Sequence, residues 1–266
     1  MLCPLVSVII AAYNCEEYIE ECVNSILNQT YQNIEILICD DNSDDNTWRI
    51  LKDLESSNPN IYLMRNQQNK KAAFSRNRCI EKSRGKYIAV QDADDLSHPE
   101  RIEKQVEILE RFKSIDFVSS GMKLFDVQGV WKITKPNVKF PNKKDFLKKV
   151  PFAHAPTMFR REPLLTVEGY RVSKETVRGQ DADLFMRLYY AGYKGMNIEN
   201  PLYFYRVDGR TLARRSLKYR YYATVVNLKN FKKLELMPLG YLYALKPLIS
   251  WFIPHGLIYK WRKISK

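Results

Sequence analysis

The chain has 266 residues, enough for one large domain or for one domain with an appendage. Its 45% apolar content is normal for a globular protein with a substantial core. The formal net charge of +13 is unevenly placed: residues 206–266 hold 14 Lys+Arg and 2 Asp+Glu, whereas the preceding 205 residues hold 29 and 28. A nearly neutral body argues against a nucleic-acid-binding protein, which would spread its basic residues over a folded face.

The amino-terminal residues and the cysteines indicate a cytosolic protein. Residues Met1 to Ile10 have no basic region and no small-residue cleavage site, so we expect no signal peptide there. The five cysteines are odd in number and lack CxxC spacing. We therefore predict reduced, mostly core cysteines rather than a disulfide frame or a zinc site.

Strands and helices are predicted to alternate through the first half of the chain. The apolar, β-branched run Val6–Ala12 is typical of a buried parallel strand. The repeating unit of roughly thirty residues predicts a parallel sheet with helices on both faces. We predict further strands at Ile34–Cys39, Ile61–Met64 and Tyr87–Val90, and helices at Glu16–Leu27, Thr47–Leu54 and Lys71–Lys82.

The second half of the chain is less regular. A lysine-rich stretch with prolines, Lys135–Lys149, separates its predicted elements. These elements are helices at Ser97–Phe112 and Asp181–Tyr190, and strands at Phe117–Leu124, Gly129–Ile133, Thr157–Arg160 and Ile198–Tyr205.

Acidic residues directly follow two of the predicted strands. Asp40 and Asp41 follow the second strand, and Asp92-Ala93-Asp94-Asp95 follows the fourth. Ligands of such sheets bind beyond the carboxyl ends of the strands, so both clusters should face one crevice. Carboxylates of this kind suit Mg²⁺ or Mn²⁺ that is also bound by substrate phosphates. The alternative is that both clusters are solvated turns that cap the following helices.

The segment Gly179-Gln180-Asp181 opens an amphipathic helix. A carboxylate fixed at a helix start can serve as the general base for a sugar hydroxyl. The alternative is that Asp181 only caps this helix.

Taken in order, five segments resemble the family-2 glycosyltransferases of the GT-A fold, over about four-fifths of the chain. These segments are VSVIIAAYN, SILNQTYQNIEILICDDNSDDNT, SRNRCIEKSRGKYIAVQDADDLSHPERI, GQDADLFMRLYYAGYK and YFYRVDG. The resemblance implies a Rossmann-like α/β fold with a mainly parallel central sheet and helices on both faces, followed by a basic tail of helical segments.

The resemblance also implies the donor site. A nucleotide-diphosphate sugar, with UDP as the expected nucleotide, would be bound by Ala11, Tyr13, Asp41, Lys71, Arg76, Asp92 and Ala93. Ala11 and Tyr13 would line the base, Asp41 would accept from it, and Asp92 would face the ribose and the diphosphate. Lys71 and Arg76 would contact phosphate.

Catalysis in such an enzyme would need one base and a divalent cation, Mn²⁺ or Mg²⁺. Asp181 would be the base of an inverting transfer, and Asp94 the principal metal ligand. This chain departs from the family at three places. Ala11-Ala12 stands where Pro-Thr is usual, Gln180 stands where Glu is common, and Asp208 replaces a histidine, so Asp208 is the candidate third ligand. His154 could contact the acceptor or be a buried structural histidine.

We expect a catalytic domain at residues 1–215, with donor binding in 1–115 and acceptor binding and the base in 116–215. Residues 216–266 would form a basic amphipathic region. Between Leu236 and Tyr259 the chain is rich in aliphatic and aromatic residues but is interrupted by three prolines and Lys246, which is unsuited to a transmembrane helix. Such a segment between basic residues fits the surface of an anionic membrane, or a helical lid on the catalytic domain.

Together these features predict a cytoplasmic enzyme that is peripheral on the inner face of the cell membrane. We expect it to elongate a lipid-linked glycan of a cell-surface polysaccharide. Two other classes remain open from the sequence. One is a nucleotide-sugar-binding protein without turnover, and the other is a basic nucleic-acid-binding protein. A glycosidase has no use for a metal-diphosphate site.

Overall fold

The computed structural model describes residues 3–207 and 216–249. A nine-stranded sheet runs through the described residues. Its strands are β1 (Val6–Ala12), β2 (Ile34–Asp40), β3 (Ile61–Arg65), β4 (Tyr87–Asp92), β5 (Leu96–Ser97), β6 (Phe117–Asp126), β7 (Gly129–Thr134), β8 (Met158–Arg160) and β9 (Gly195–Arg206).

Helices cover both faces of this sheet, which confirms the predicted α/β class. They are α1 (Ile19–Leu27), α2 (Thr47–Ser57), α3 (Ala72–Lys82), α4 (Arg101–Arg111), α5 (Asp145–Lys148), α6 (Arg161–Thr166), α7 (Gln180–Tyr190), α8 (Leu217–Lys233) and α9 (Leu239–Ile249).

The first strand lies in the middle of the parallel part of the sheet. β1 pairs in parallel with β2 on one side and with β4 on the other. Val8 and Ile10 point into the core beneath α1, α2 and α4, and Ile9 points into the core on the opposite face. Because both faces are covered, the strand is apolar at successive positions, and this is why it could be predicted from its sequence.

The strand order is β3-β2-β1-β4-β8-β6-β9-β5, with β7 added beside β6. The strand β8 runs antiparallel to both β4 and β6, whereas β9 runs parallel to β6. The second half of the chain therefore extends the parallel sheet with strands of mixed direction.

Some predicted boundaries were wrong. Ser97, predicted to start a helix, lies in the two-residue strand β5, which pairs with β9 at Tyr203. A strand of two residues has no periodic pattern and is defined by its partner. The short helices α5 and α6 were not predicted for the same reason of length, and β9 starts three residues before the predicted strand.

All five cysteines are free, and four of them are buried. The burial of four of the five agrees with the prediction that the cysteines are mostly core residues. Burial raises the pKa of the Cys15 thiol to about 12, so this thiol stays protonated at neutral pH.

Part of the basic tail packs on the body of the protein. The core that contains Leu184 of α7 also buries residues of the tail. They are Phe231 of α8, Leu234 directly after α8, and Ala244 of α9. On the outside of α9 an apolar face stays exposed; it consists of Tyr241, Leu242, Leu245 and Ile249. Within residues 3–207 and 216–249, the helices are too short or too polar to cross a bilayer.

Candidate active site

The predicted donor residues come together at one edge of the sheet. β1, β2 and β4 are parallel neighbours, so their carboxyl ends meet there. Ala11 is in register with Cys39 of β2 and with Asp92 of β4. Tyr13 follows β1 and is 45% exposed, as an aromatic side chain available for stacking should be.

The two acids after β2 have different environments. Asp40 is fully buried and binds within the protein, with Arg65 at 3.0 Å and with the Ser43 hydroxyl. Asp41 accepts hydrogen bonds from the backbone N–H groups of Lys70 and Lys71 at 2.8 and 2.7 Å. The carboxylate of Asp41 therefore fixes the turn that leads into α3.

Lys71 occupies a backbone conformation that side chains rarely adopt, with φ of 71°. The two hydrogen bonds to Asp41 hold the backbone in this left-handed region. The side chain of Lys71 is exposed, at the start of α3 and at the same sheet edge. The structure thus brings Lys71 to the predicted donor site.

An arginine and an aspartate form the charged centre of the site. Arg76 of α3 donates from Nη2 to Oδ1 of Asp92 at 2.6 Å, and its side chain is 9% exposed. Its Nε is buried without a hydrogen-bond partner among the described residues. Burial by itself lowers the pKa of Arg76, but the neighbouring Asp92 outweighs burial and the net direction is upward.

The last strand is attached to the acidic turn. Arg206 donates from its backbone N–H to Asp95 and from Nε to the carbonyl of Asp94, each at 2.7 Å. Its Nη2 binds Glu21 of α1, and its guanidinium lies over the ring of Tyr18. One residue from β9 therefore fixes the turn that carries the exposed Asp94.

A fully buried tyrosine and arginine lie behind the acidic turn. The backbone N–H of Asp92 donates to the hydroxyl of Tyr203 at 3.1 Å. The guanidinium of Arg101 lies over the Tyr203 ring and donates to the carbonyl of Val90 and to Gln91. Burial lowers the pKa of Arg101 to about 10, which still leaves it charged at neutral pH.

The acidic turn fits a cation that arrives with a phosphate ligand. Burial and then the charges of Asp92 and Asp94 raise the pKa of Asp95 to about 9, and its Oδ2 is buried without a hydrogen-bond partner among the described residues. A bound cation would stabilise the charged forms of these crowded carboxylates. The described part of the chain holds no cluster of three or more His, Cys, Asp or Glu side chains arranged around a metal. Magnesium commonly uses one or two carboxylates together with substrate phosphates, and the turn matches that pattern.

The predicted base faces the same cavity as the charged centre. Asp181 in the first turn of α7 lines a cavity of about 980 Å³ together with Arg76, Asp92 and His154. None of the described residues donates a hydrogen bond to its carboxylate. Asp181 is therefore in a position to accept a proton from a bound substrate.

Asp183, two residues further along α7, has a structural role. It is fully buried and binds Arg187 at 2.7 Å and Arg171 at 3.2 Å. Its other contact is a hydrogen bond from Asn230 of α8 at 3.0 Å. With these partners Asp183 joins α7 to α8 and does not face the cavity.

His154 lines the cavity and is also part of the packing. Its Nε2 lies 2.7 Å from the hydroxyl of Tyr170. Burial, and then the neighbouring charge of Arg76, lowers the pKa of His154 to about 4. The ring is therefore neutral at physiological pH. His154 both lines the cavity and makes a buried hydrogen bond, so the two predictions for this residue are compatible.

Several site residues were not predicted from the sequence. Tyr203 and Arg206 reach the acidic turn from β9, more than a hundred positions along the chain, so a linear pattern gives no signal for them. Arg101 lies close in sequence, but its role depends on the stacking with Tyr203, which the sequence does not show. Asp95 is adjacent to the predicted acids, and its acidic side chain in that turn was the available signal. The small Ala93 is buried in the turn itself. The candidate ligand Asp208 lies outside the described residues.

Comparison with known proteins identifies the family of the sequence. The profile described as "Glycosyl transferase family 2" matches residues 7–167. The chain is 38% identical over 261 residues to the putative glycosyltransferase EpsE of Bacillus subtilis (strain 168), covering 98% of this chain and 94% of EpsE. It is 33% identical over 216 residues to the UDP-Glc:alpha-D-GlcNAc-diphosphoundecaprenol beta-1,3-glucosyltransferase WfaP of Escherichia coli, covering 80% and 82%.

Two solved structures have the same fold. Residues 1–349 of S. aureus TarS, in complex with UDP-GlcNAc, superpose with a TM-score of 0.73 at 17% identity, covering 94% of this chain and 76% of that one. The mannosyltransferase PcManGT of Pyrobaculum calidifontis, in complex with GDP-Man and Mn²⁺, gives a TM-score of 0.67 at 18% identity, covering 98% and 80%. At this identity the likeness concerns the fold alone.

The different environments of the two acids on α7 lead to a prediction. The variant Asp183→Asn leaves Arg171 and Arg187 with an uncompensated buried charge, and we expect it to lower the free energy of unfolding by about 3 kcal/mol. The matched variant Asp181→Asn should change it by less than about 0.5 kcal/mol, because Asp181 is partly exposed. Urea unfolding followed by circular dichroism measures both values. Equal stability of the two variants would contradict the structural role of Asp183.

Proposed function

This chain belongs to glycosyl transferase family 2 and has the GT-A fold, and from this premise we propose that it is an inverting, metal-dependent enzyme that transfers a sugar from a UDP-sugar to the hydroxyl of a lipid-linked glycan. The observation that carries the proposal is the cavity shared by Arg76, Asp92 and Asp181. A donor needs a charged centre for its diphosphate, and an acceptor needs a base. These groups border a single space.

The proposed donor site uses the sheet edge formed by β1, β2 and β4. Ala11 and Tyr13 would contact the base. Asp41, whose carboxylate fixes the turn at Lys71, would also accept a hydrogen bond from the base. Asp92 and Ala93 would adjoin the ribose and the diphosphate. UDP is the proposed nucleotide because both TarS in its UDP-GlcNAc complex and WfaP in its name use uridine donors. The GDP-Man complex of PcManGT has the same fold, so nucleotide choice depends on these side chains rather than on the fold.

The proposed cation, Mn²⁺ or Mg²⁺, would be held by Asp94 beside Asp92, with Asp208 as the candidate third ligand. When bound, a divalent cation neutralises the charge that develops on a departing diphosphate. Arg76, already paired with Asp92, would add positive charge at the same end of the cavity. The Mn²⁺ in the PcManGT complex supports the choice of metal.

The proposed chemical step has a single displacement. The carboxylate of Asp181 accepts the proton of the acceptor hydroxyl while the hydroxyl oxygen attacks the anomeric carbon. The bond from that carbon to the diphosphate oxygen breaks on the opposite side, so the configuration inverts and the nucleoside diphosphate leaves. Arg76 and Asp92 hold the leaving end, and the start of α7 holds the attacking end.

The proposed setting is cell-surface polysaccharide synthesis at the cytoplasmic face of the membrane. The WfaP name includes a diphosphoundecaprenol acceptor, which is a membrane lipid. The exposed apolar side chains of α9 lie in the tail that carries most of the net charge. Apolar surface beside basic residues is the pattern that binds an anionic bilayer.

We predict that transfer requires a divalent cation. Asp94→Asn should reduce turnover at least about a hundredfold, because phosphate charge stabilisation is lost, while leaving the fold intact. Transfer is assayed from a panel of nucleotide sugars to a mixture of lipid-linked acceptors, with Mn²⁺, with Mg²⁺ and with EDTA. Glu107→Gln, an exposed acid on α4, is the control. Full activity in excess EDTA would refute the metal requirement.

We also predict that Asp181 is the general base. Asp181→Asn should bind the UDP-sugar with nearly normal affinity but transfer it roughly two to four orders of magnitude more slowly. Calorimetry of donor binding and the rate at saturating donor separate the two effects. If Asp181→Asn binds the donor much more weakly but transfers at a normal rate at saturating donor, the general base is another residue. If the wild-type protein binds UDP-sugars but gives no product with any acceptor, the result would instead indicate a nucleotide-sugar-binding protein without turnover.

The membrane proposal predicts a specific effect of the α9 face. Leu242→Gln with Leu245→Gln should reduce sedimentation with anionic liposomes several-fold, because each substitution removes exposed apolar area that would contact the membrane. The control is the pair Leu165→Gln and Val172→Gln, which is similarly exposed but lies outside the tail. Salt should weaken binding of the wild type through its basic residues. Equal sedimentation of both pairs, or indifference to lipid charge, would argue against the proposal.

A further inference from the structure

The cavity at the start of α7 extends well beyond Arg76 and Asp92. Its volume of about 980 Å³ is at the upper end of the range for ligand pockets. Its lining includes Arg76 and Asp92, which the proposed function assigns to the donor. A second part of the lining, named here the second end, comes from the segment after β7, the segment from α5 to β8 and the residues before α7.

Four basic side chains line this second end: Lys135, Lys148, Lys149 and Arg178. All four are exposed to solvent. No carboxylate of the described residues lies within ion-pair distance of any of them; the ion pair of this region, Lys143 with Glu235, involves a different lysine. Their positive charge is therefore available to a ligand.

The acids of this end do not cancel that charge. Asp145 accepts a hydrogen bond from the backbone N–H of Asn142 at 2.8 Å, at the start of α5. Asp181 is the proposed base. Four cations against these two acids leave the acceptor end of the cavity net positive, whereas a neutral sugar would need hydrogen-bonding groups rather than charge.

The position of Arg178 relates this charge to the reaction. Arg178 precedes Asp181 by three residues in the segment that opens α7, so a group bound by Arg178 lies close to the base. Its guanidinium also lies over the ring of Tyr219 in α8, which limits its freedom. An anion attached to the first carbon of an acceptor sugar would be one sugar ring away from the hydroxyl that Asp181 deprotonates.

We propose that Lys135, Lys148, Lys149 and Arg178 form an anion subsite that binds the diphosphate of a lipid-linked acceptor. This inference rests on the proposed function and specifies its acceptor. Several cations around one opening match a diphosphate, which has two phosphate groups and accepts charge-assisted hydrogen bonds from lysine and arginine. Because these side chains are exposed, the lipid tail of the acceptor can stay outside the cavity.

The test measures binding of short-chain probes by calorimetry. The full-length protein is first saturated with UDP and Mn²⁺, which occupies the donor end, and is then titrated with octyl diphosphate, octyl glucuronide or octyl glucoside. We expect octyl diphosphate to bind at least about tenfold more tightly than octyl glucoside, and the difference to shrink as salt is added.

The variant Lys148→Gln with Lys149→Gln should weaken binding of octyl diphosphate about tenfold and leave binding of UDP and of octyl glucoside unchanged. The matched pair Lys139→Gln with Lys144→Gln removes the same charge from nearby positions that do not line the cavity, and it should have little effect. Thermal unfolding of both variants confirms that they are folded.

Three results would overturn the proposal: no preference of the wild type for octyl diphosphate, equal weakening by the two lysine pairs, or a preference for octyl glucuronide. The last result would assign the subsite to a carboxylate of the acceptor sugar. UDP binding is recorded in the first step of each titration. Failure of the donor site is therefore seen separately from failure of the anion subsite.

Discussion

The accumulation of negative charge at the end of β4 is the constraint on which the site depends. Asp92, Asp94 and Asp95 lie within four positions at the end of the strand and its turn, and burial followed by the charges of Asp92 and Asp94 raises the pKa of Asp95. Carboxylates held this close need cations or donors around them. Arg76 supplies a cation from α3, and Arg206 supplies a backbone donor and its guanidinium from β9. The turn is therefore assembled from elements on both sides of the sheet.

This requirement links the acidic turn to the second half of the chain. Tyr203 of β9 accepts from the backbone of Asp92, and Arg101 of α4 lies against the Tyr203 ring. The strand β5 pairs with β9 immediately beside these contacts. A change that loosens β9 would therefore disturb the acidic turn and the proposed donor site even where it leaves the first four strands in place.

The lining of the cavity combines the Arg76–Asp92 ion pair with a basic end that consists of Lys135, Lys148, Lys149 and Arg178. In the proposed reaction, the acidic turn that begins at Asp92 binds a cation with the donor diphosphate, and the basic end binds the acceptor diphosphate. Like charges of the two substrates are then held apart while the acceptor hydroxyl faces the anomeric carbon at Asp181. The packing of α8 on α7 through Asn230 and Asp183 places the tail beside this basic end, so membrane contact and acceptor binding would occur in one region of the molecule.

The sequence by itself determined the alternating α/β order, the central strand Val6–Ala12 and the clustering of acids at the strand ends, because buried parallel strands and their termini leave a local pattern of residues. It also placed Asp181 at the start of a helix. Only the tertiary structure separated Asp181 from Asp183, since both lie in the same helical turn and differ in what packs against them: a cavity in one case, two arginines and Asn230 in the other. The contacts of Arg206 with the acidic turn likewise join residues more than a hundred positions apart, and that proximity is decided by strand pairing in the folded sheet, which no local pattern encodes.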